Sequence, residues 1–400
     1  MRQPYSHTWL TPTAYIVLAV VGLYMLLIAL VPTPKPTVQL SIQSGNINTG
    51  TAATMPWPRS GNVAIGTTQT GILATRDADQ LSPTASTAKI ILALAVLRKH
   101  PIQPGQTGPI ITLTAEDERF YQDELARNGS VVPVTAGMQL TEYQALEALL
   151  LASGNNIAAT LARWAFGSAS AYSTEATAML RDMGVTKTHL DDVAGFSPAT
   201  VSTPQELVAI AKEAMKIPVF ATIVSQKIAT LPIIGSLRNT NSALGLAGIN
   251  GVKTGHTDES GGCLVFSATR TVDGHAVTVV GALQAASSIE AALALAPDLV
   301  EASYQNLTYS TIASPTKQVG TVTTPWSQPI AVIPQKEISL LVWKGSQLQR
   351  TVTSEPINNG RVGRLQIGDQ TTDLVLASPL AEPSYLWRLT HPLQLLGWSR

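Results

Sequence analysis

The longest uninterrupted run of apolar residues extends from Ala14 to Val31, near the start of the chain. Its length approaches the roughly 20 residues that a helix needs to cross a bilayer. Arg2 precedes the run, which favours a cytoplasmic N-terminus over residues 1–13. A cleaved signal peptide is the alternative, but no convincing Ala-x-Ala cleavage site follows the run. The pattern therefore predicts an uncleaved transmembrane anchor over 14–31 and an extracytoplasmic location for the rest of the chain.

Residues 32–55 are rich in Pro, Thr, Ser, Gly and Asn, with few large apolar side chains, which predicts a linker. Over 56–312, short apolar runs alternate with longer helical patterns, as expected for one domain that contains both strands and helices. The predicted strands are 62–66, 71–75, 262–269 and 275–282, and the predicted helices are 86–97, 140–166 with an interruption at 153–156, 171–183 and 203–215.

A second pattern occupies residues 317–380, where short apolar runs lie between Gly, Pro and Asn turns. It predicts a small all-β domain, with strands at 330–333, 338–343, 361–367 and 372–376. Aromatic and leucine side chains return in the tail, residues 381–400. The tail could lie in a membrane interface. Packing on the β domain is the alternative, because Pro392 breaks a continuous amphipathic helix.

Composition excludes several classes of function. Charged residues make up 13% of the chain and the formal net charge is zero, so there is no basic surface for nucleic acid. The single cysteine, Cys263, excludes an internal disulfide and a cysteine-rich metal site. The six histidines include no His-Glu-x-x-His or comparable ligand spacing. We therefore expect neither a metal nor a nucleic-acid partner.

The candidate chemistry begins with Ser86 and Lys89, three residues apart at the head of an apolar helical run. On a helix this spacing places both side chains on one face. A serine hydroxyl becomes a useful nucleophile when a base removes its proton, and a lysine kept neutral by burial or by a nearby cation can do so. Ser-x-x-Lys is a short pattern, however, and recurs at Ser314–Lys317 in sequence without helical character.

Two further patterns follow in order. Ser153 and Asn155 interrupt a helical stretch, where they turn polar groups inward. Lys253, Thr254 and Gly255 lie on a predicted strand, where a cation, a hydroxyl and a glycine that admits a substrate backbone suit a carboxylate ligand. Each pattern alone is also explained by solvated surface residues, but the ordered set is much harder to obtain by chance.

In this order the motifs resemble those of the D-alanyl-D-alanine carboxypeptidases, low-molecular-mass penicillin-binding proteins of serine peptidase family S11. The similar segments are Pro83–Ile90, Pro133–Gln139, Ser153–Ala158, Arg238–Asn241 and Gly251–Asp258. The resemblance covers about residues 62–307. It implies an α+β fold: a penicillin-binding, serine β-lactamase-like transpeptidase domain with an antiparallel sheet packed with helices, followed by a small β domain.

The resemblance also implies catalytic roles. Ser86 would be the acylated nucleophile and Lys89 its general base. Ser153 would pass a proton to the leaving D-alanine, and Asn155 would hold the substrate amide. The substrate would be the D-Ala-D-Ala end of the peptidoglycan stem peptide, with β-lactams as inhibitors that acylate Ser86.

For the substrate-binding strand, the resemblance implies that Lys253 keeps the site positive and attracts the substrate carboxylate, which Thr254 would hydrogen-bond. Gly255 completes this motif, and the backbone N–H groups of Ser86 and His256 would form the oxyanion hole. The family needs no cofactor and no metal.

One departure from the family leaves alternatives open. The family commonly carries a basic residue on the helix that follows the last sheet strand, but Ala285–Ala302 contains no Lys or Arg. A penicillin-binding scaffold with little turnover, or a wall-binding module, is therefore an alternative. A β-lactamase is another, although Glu175 and Glu206 lie in helical stretches without the loop context that a deacylating glutamate needs.

Overall fold

The computed structural model describes residues 10–397 of the chain. The chain divides into two compact units. The central unit comprises residues 51–308, and the unit that we call the β unit combines the described residues up to Gly50 with those from Tyr309 onward. The β unit is therefore built from two stretches that are far apart in the sequence.

The N-terminal part of the β unit contains the apolar helix α1 (Leu10–Leu30) and two short strands, β1 (Thr37–Leu40) and β2 (Gly45–Asn48). Residues Pro12–Leu30 have a mean hydropathy of 2.5, so this helix is long and apolar enough to cross a membrane. The sequence predicts a linker over 32–55, but the structure pairs both strands into a sheet. The prediction missed them because four-residue strands of Thr, Gln, Asn and Gly show almost no apolar alternation.

The central unit combines strands with eight helices. In chain order its strands are β3 (Asn62–Thr67), β4 (Gly71–Arg76), β5 (Ser82–Pro83), β6 (Ile110–Thr112), β7 (Gln139–Thr141), β8 (Val201–Ser202), β9 (Ile228–Leu231), β10 (Gly235–Arg238), β11 (Ile249–Thr257), β12 (Gly261–Val272) and β13 (His275–Ala286). Its helices are α2 (Lys89–Lys99), α3 (Ala115–Ala126), α4 (Glu142–Leu150), α5 (Asn155–Phe166), α6 (Ala169–Asp182), α7 (Pro204–Met215), α8 (Pro218–Ser225) and α9 (Ile289–Asn306).

One antiparallel sheet organises this unit, with the strand order β11-β12-β13-β3-β4. The remaining strands pair two by two: β5 with β8, β6 with β7 and β9 with β10. The four strands predicted in this region and the helices at 140–166, 171–183 and 203–215 are confirmed, whereas helices α3 and α8 were not predicted. The sheet and helices together give the α+β architecture that the resemblance implies.

Helix α2 lies at the centre of the core. All of its residues from Lys89 to Leu97 are buried, as expected for a helix that is apolar on every side. The sequence predicts a helix from Ser86, but the structure begins it with a tighter 3-10 turn, Ala85–Ala88, before α2. Residues three apart eclipse each other in a 3-10 turn, so this turn brings the side chains of Ser86 and Lys89 into line.

Two helix starts show how local sequence sets these elements. Thr141 caps α4: its side chain accepts from the Gln144 N–H, while the Gln144 side chain accepts from the Thr141 N–H. Thr203 caps α7 by accepting from the N–H of Glu206, and Pro204 occupies the first turn, where its missing N–H is not needed. The first of these helices, α4, ends just before the turn that carries Ser153.

The rest of the chain contains seven further strands and two short helices, and the first of these strands begins in the last two residues of the central unit. They are β14 (Leu307–Ala313), β15 (Gly320–Thr324), β16 (Ser327–Pro334), β17 (Ile338–Trp343), β18 (Gln347–Asn358), β19 (Arg361–Ile367), β20 (Gln370–Leu376), α10 (Tyr385–Thr390) and α11 (Pro392–Leu395). A seven-stranded sheet has the order β1-β15-β16-β20-β19-β18-β2, and β14 pairs with β17. The four strands predicted here are confirmed, and β14, β15 and β18 were not predicted.

Helix α10 packs against the C-terminal end of α1. The Tyr24 hydroxyl donates to the Leu389 carbonyl at 2.8 Å, and the Tyr385 hydroxyl donates to the Met25 carbonyl at 3.0 Å. The predicted tail thus contacts the apolar helix. The ends of the chain that were predicted as a cytoplasmic N-terminus and a tail include residues 1–9 and 398–400, which lie outside the described residues.

Candidate active site

Ser86 and Lys89 form the centre of the candidate site. The Nζ atom of Lys89 lies 2.7 Å from the Oγ atom of Ser86. Lys89 is fully buried at the start of α2, whereas Ser86 is only half-buried. Ala85, immediately before the serine, has a φ of 44°, a strained conformation for a residue with a side chain. A buried amine next to a reachable hydroxyl is the arrangement that base-assisted nucleophilic attack needs.

Three more groups surround the Lys89 amine. It lies 2.7 Å from Asn155 Oδ1, 3.2 Å from the Ala194 carbonyl oxygen and 3.4 Å from Ser153 Oγ. Ser153 has a φ of 64° in the turn between α4 and α5, and Asn155 is the first residue of α5. This turn is the interruption that the sequence predicts within the helical stretch.

Burial sets the protonation state of Lys89. The loss of water around the amine lowers the pKa of Lys89 from 10.5 to about 7, although the charges of Asp192 and Glu124 act in the opposite direction. At neutral pH a large fraction of the amine is therefore unprotonated. The lone pair of that form can take a proton from Ser86.

Strand β11 forms the opposite side of the site and carries Lys253, Thr254, Gly255 and His256. A Cβ on Gly255 would lie only 2.9 Å from the Ser86 backbone nitrogen, so a glycine is needed for the strand to pass this close to the nucleophile. His256 is exposed, and its Nδ1 lies 3.1 Å from the Gly261 carbonyl oxygen.

Lys253 is almost completely buried, and its Nζ donates to the Thr254 carbonyl at 3.0 Å. Burial holds the pKa of Lys253 well below 10.5, and the nearby charge of Lys89 lowers it further. A positive charge on Lys253 is therefore less favourable when Lys89 is charged. The role of Lys253 in keeping the site positive stays a prediction.

Three parts of the site were not predicted as site residues. Glu124, on α3, accepts from Asn155 Nδ2 at 2.8 Å. Asp192 accepts from the N–H groups of a loop, including that of Gly195 at 2.9 Å, and so holds the carbonyl of Ala194 towards Lys89. No periodic or motif signal distinguishes these residues from ordinary surface acids.

Thr240 is the third part of the site that was not predicted. Its hydroxyl oxygen lies 2.6 Å from the Thr254 hydroxyl oxygen, so the two share a hydrogen bond. The similarity of Arg238–Asn241 to the family was a signal that could have identified it.

The competing candidates from the sequence have other environments. Ser314–Lys317 forms a turn closed by the Lys317 N–H and the Ser314 carbonyl. Glu175 pairs with Lys99 at 2.8 Å. Glu206 accepts from the N–H groups of Thr186 and Lys187, both at 2.8 Å. Neither glutamate contacts Ser86 or Lys89, so neither occupies the place of a deacylating glutamate.

Known proteins resemble this chain in sequence. A family model described as D-alanyl-D-alanine carboxypeptidase matches residues 51–284. A D-alanyl-D-alanine carboxypeptidase of Streptomyces sp. is 33% identical over 248 residues, which is 58% of this chain and 80% of that protein. Another from Mycobacterium tuberculosis is 31% identical over 206 residues, 50% of this chain and 66% of that protein.

Solved structures resemble it in fold. The crystal structure of the Streptomyces K15 DD-transpeptidase is 29% identical with a TM-score of 0.56, covering 62% of this chain and 98% of that one. Penicillin-binding protein 5 from Haemophilus influenzae has a TM-score of 0.62 and covers 83% of this chain and 100% of that one; at 15% identity it supports the fold alone. The predicted α+β penicillin-binding fold is confirmed. Because the family model matches more than half of the 400 residues, the chain belongs to the D-alanyl-D-alanine carboxypeptidase family, serine peptidase family S11.

Proposed function

We propose that this protein is a serine-type D-Ala-D-Ala carboxypeptidase that removes the terminal D-alanine from peptidoglycan stem peptides and is acylated by penicillins. The observation that carries the proposal is the buried Lys89 amine, 2.7 Å from the Ser86 hydroxyl and with a pKa lowered to about 7. Such a pair supplies a nucleophile and its base at neutral pH without a metal or a cofactor.

The reaction begins when the neutral Lys89 amine takes the Ser86 proton as Oγ attacks the carbonyl carbon of the penultimate D-alanine. The N–H groups of Ser86 and His256 stabilise the oxyanion that forms. The C–N bond then breaks, and Ser153 relays the proton from Lys89 to the leaving amine of D-alanine. Water attacks the resulting ester on Ser86, with Lys89 again acting as base, and releases the shortened peptide.

The other site residues orient the substrate. The Asn155 NH₂ group donates one of its two protons to Glu124. The other proton is free to be donated to the carbonyl oxygen of the substrate amide. The Thr254 hydroxyl, oriented by Thr240, binds the terminal carboxylate. Lys253 supports this end of the site through the Thr254 carbonyl.

The apolar helix Leu10–Leu30 supports a single-pass membrane location with the catalytic part outside the cytoplasm. Peptidoglycan is extracytoplasmic, so this arrangement would bring the enzyme to its substrate. We propose residues 56–312 as the catalytic domain, 317–380 as the main part of the β domain and 381–400 as the tail. Strands β1 and β2 extend the β domain into the predicted linker.

The test is D-alanine release from diacetyl-Lys-D-Ala-D-Ala by the full chain in detergent, with Ser86→Ala as control. We expect release by the wild type and none by the variant. The kcat/KM should fall about tenfold per pH unit below about 7, because protonated Lys89 cannot act as base. A penicillin adduct on Ser86 without D-alanine release would instead support the scaffold alternative, and the absence of both would exclude the proposal.

Transfer to an amine is a second candidate, because a similar solved structure is named a DD-transpeptidase. In this reaction an amine, rather than water, attacks the acyl group on Ser86. Adding glycine to the same assay separates the two outcomes: a transpeptidase forms the glycine-capped peptide at the expense of the hydrolysed one. Hydrolysis that glycine leaves unchanged would exclude transfer to this acceptor.

A further inference from the structure

Glu124 reaches the catalytic residues from helix α3, outside the three motifs. Its side chain is 17% exposed, and its Oε2 accepts a hydrogen bond from Asn155 Nδ2 at 2.8 Å. Gly129 closes over this pair. A Cβ on Gly129 would lie 2.5 Å from Glu124 Oε2 and 2.9 Å from Asn155 Nδ2, so only glycine leaves the contact room.

This hydrogen bond fixes the direction of the Asn155 side chain. An asparagine amide has an acceptor end and a donor end of nearly the same shape, so its orientation depends on its partners. An ionised carboxylate can only accept. Glu124 therefore selects the orientation in which the Asn155 NH₂ group faces α3 and the carbonyl oxygen faces Lys89.

That orientation determines where the protons of Lys89 point. A neutral amine has two N–H bonds and one lone pair. The Asn155 and Ala194 oxygens, at 2.7 and 3.2 Å, are acceptors only, so they take the two N–H bonds. The lone pair is left for a hydroxyl that can donate, and Ser86 Oγ, at 2.7 Å, lies much closer than Ser153 Oγ, at 3.4 Å. A flipped Asn155 would present N–H groups to the amine and compete with Ser86 for the lone pair.

We propose that Glu124 is a positioning residue that fixes the Asn155 amide and thereby directs the lone pair of neutral Lys89 at Ser86. The inference rests on the proposed function, since it concerns the same acylation step. It assigns a role to a residue that lies outside the Ser-x-x-Lys, Ser-x-Asn and Lys-Thr-Gly motifs and contacts no substrate itself.

Two properties of Glu124 can be separated by substitution. Glu124→Gln removes the charge but keeps an oxygen that can accept from Asn155. Glu124→Ala and Glu124→Leu remove both, and alanine and leucine preserve the last turn of α3 because both favour helices. Asp123→Asn is the matched control, since Asp123 is exposed on the same turn.

The experiment measures the second-order rate of acylation by a fluorescent penicillin, using the full chain in detergent between pH 5.5 and 9. At high pH Lys89 is neutral in every variant, so the plateau rate reports how well its lone pair is directed at Ser86. We expect it to fall at least tenfold in Glu124→Ala and Glu124→Leu, to recover to within threefold of wild type in Glu124→Gln, and to stay near wild type in Asp123→Asn.

The charge of Glu124 gives a second signature. Because that charge raises the pKa of Lys89 against the effect of burial, Glu124→Gln should move the acid limb of the profile to lower pH. Asp123→Asn should move it less.

The outcomes distinguish the two proposals. If wild type is acylated no faster than Ser86→Ala, the proposed function itself fails. If wild type is acylated and a folded alanine or leucine variant keeps its plateau within twofold, the positioning role is refuted while the function stands. A Glu124→Gln plateau as low as that of the alanine variant would support the role of an acceptor-only group, because the glutamine NH₂ group can donate to a flipped Asn155. If thermal unfolding shows that one of Glu124→Ala and Glu124→Leu is unstable, the plateau rate of the other variant decides the test.

Discussion

Replacing Arg163 with methionine removes one half of the buried ion pair that joins helices α3 and α5. Arg163 Nε donates to Asp117 Oδ1 at 2.9 Å, and its Nη2 atom donates to Oδ2 at 2.6 Å. The Asp117 side chain is fully buried, and its Oδ2 also accepts from the N–H and hydroxyl of Thr114, at 2.7 and 2.9 Å. Methionine keeps the volume but leaves a buried carboxylate without its cation.

The expected loss follows from that uncompensated charge. Breaking a buried pair by removing one partner costs about 3–5 kcal/mol, and we expect the lower end because Thr114 keeps two hydrogen bonds to Asp117. The pair also holds α3, which carries Glu124, against α5, which carries Asn155. The rate of penicillin acylation should therefore fall together with the free energy of unfolding.

The pH dependence of the free energy of unfolding tests the direction of this effect. Burial alone would raise the pKa of Asp117, but the hydrogen bonds from Arg163 and Thr114 outweigh it and hold that pKa below its usual value. The resulting stabilisation is complete above the unfolded-state pKa of Asp117 and is lost as the pH falls through the lower folded-state value. Arg163→Met removes the largest of the contributions that lower this pKa, so Asp117 takes up a proton more easily and the penalty should be smaller at pH 5 than at pH 7.5.

Urea unfolding of the full chain in detergent measures these differences. Arg181→Met is the matched control, because Arg181 is exposed, and it should change the free energy of unfolding by less than about 0.5 kcal/mol. The double variant Asp117→Asn/Arg163→Met should recover part of the loss. A penalty below 1 kcal/mol, or one that grows as the pH falls, would refute this account of the ion pair.

Two further substitutions test other parts of the fold. Gly195→Ala should slow penicillin acylation at least tenfold, because a Cβ there collides with the Ala85 carbonyl and displaces the loop that contacts Lys89. Gly184→Ala is the control, since Gly184 has a similar φ and open space around it, and it should leave acylation intact. Glu142 is fully buried with both carboxyl oxygens unpartnered, and burial raises its pKa to about 8. Between pH 5 and 8 wild type should therefore lose about 3 kcal/mol of unfolding free energy relative to Glu142→Gln, and parallel urea-unfolding stability curves would contradict this.

The sequence was most informative where chemistry and helical spacing coincide. Ser86 and Lys89 could be recognised because a hydroxyl and an amine three residues apart stand at the head of an apolar helix. Ser153 and Asn155 stood out because they interrupt another. The structure brings Ser86, Ser153 and Asn155 within 3.4 Å of the Lys89 amine.

Other parts of the site depend on tertiary contacts that leave no local pattern. Helix α3 is mostly polar and buries only Asp117, so nothing in its sequence distinguishes Glu124 from the other acids on the same helix. The Asp192 loop has no periodicity, and its function depends on how closely Gly195 approaches Ala85. The pKa values of Lys89 and Lys253 depend on burial, which the sequence does not report.

The two edge strands of the β unit impose an order on folding during synthesis. Thr37 of β1 pairs with Thr323, and Asn48 of β2 pairs with Gln347, so each edge of the sheet is closed by residues about 300 positions away. At about 5–20 residues per second, roughly 15–50 s separate the synthesis of β2 from that of β15. The central unit, being continuous in sequence, can fold during that interval. The N-terminal strands must meanwhile stay unpaired, and their short, polar character, which hid them from prediction, protects them from aggregation while they wait.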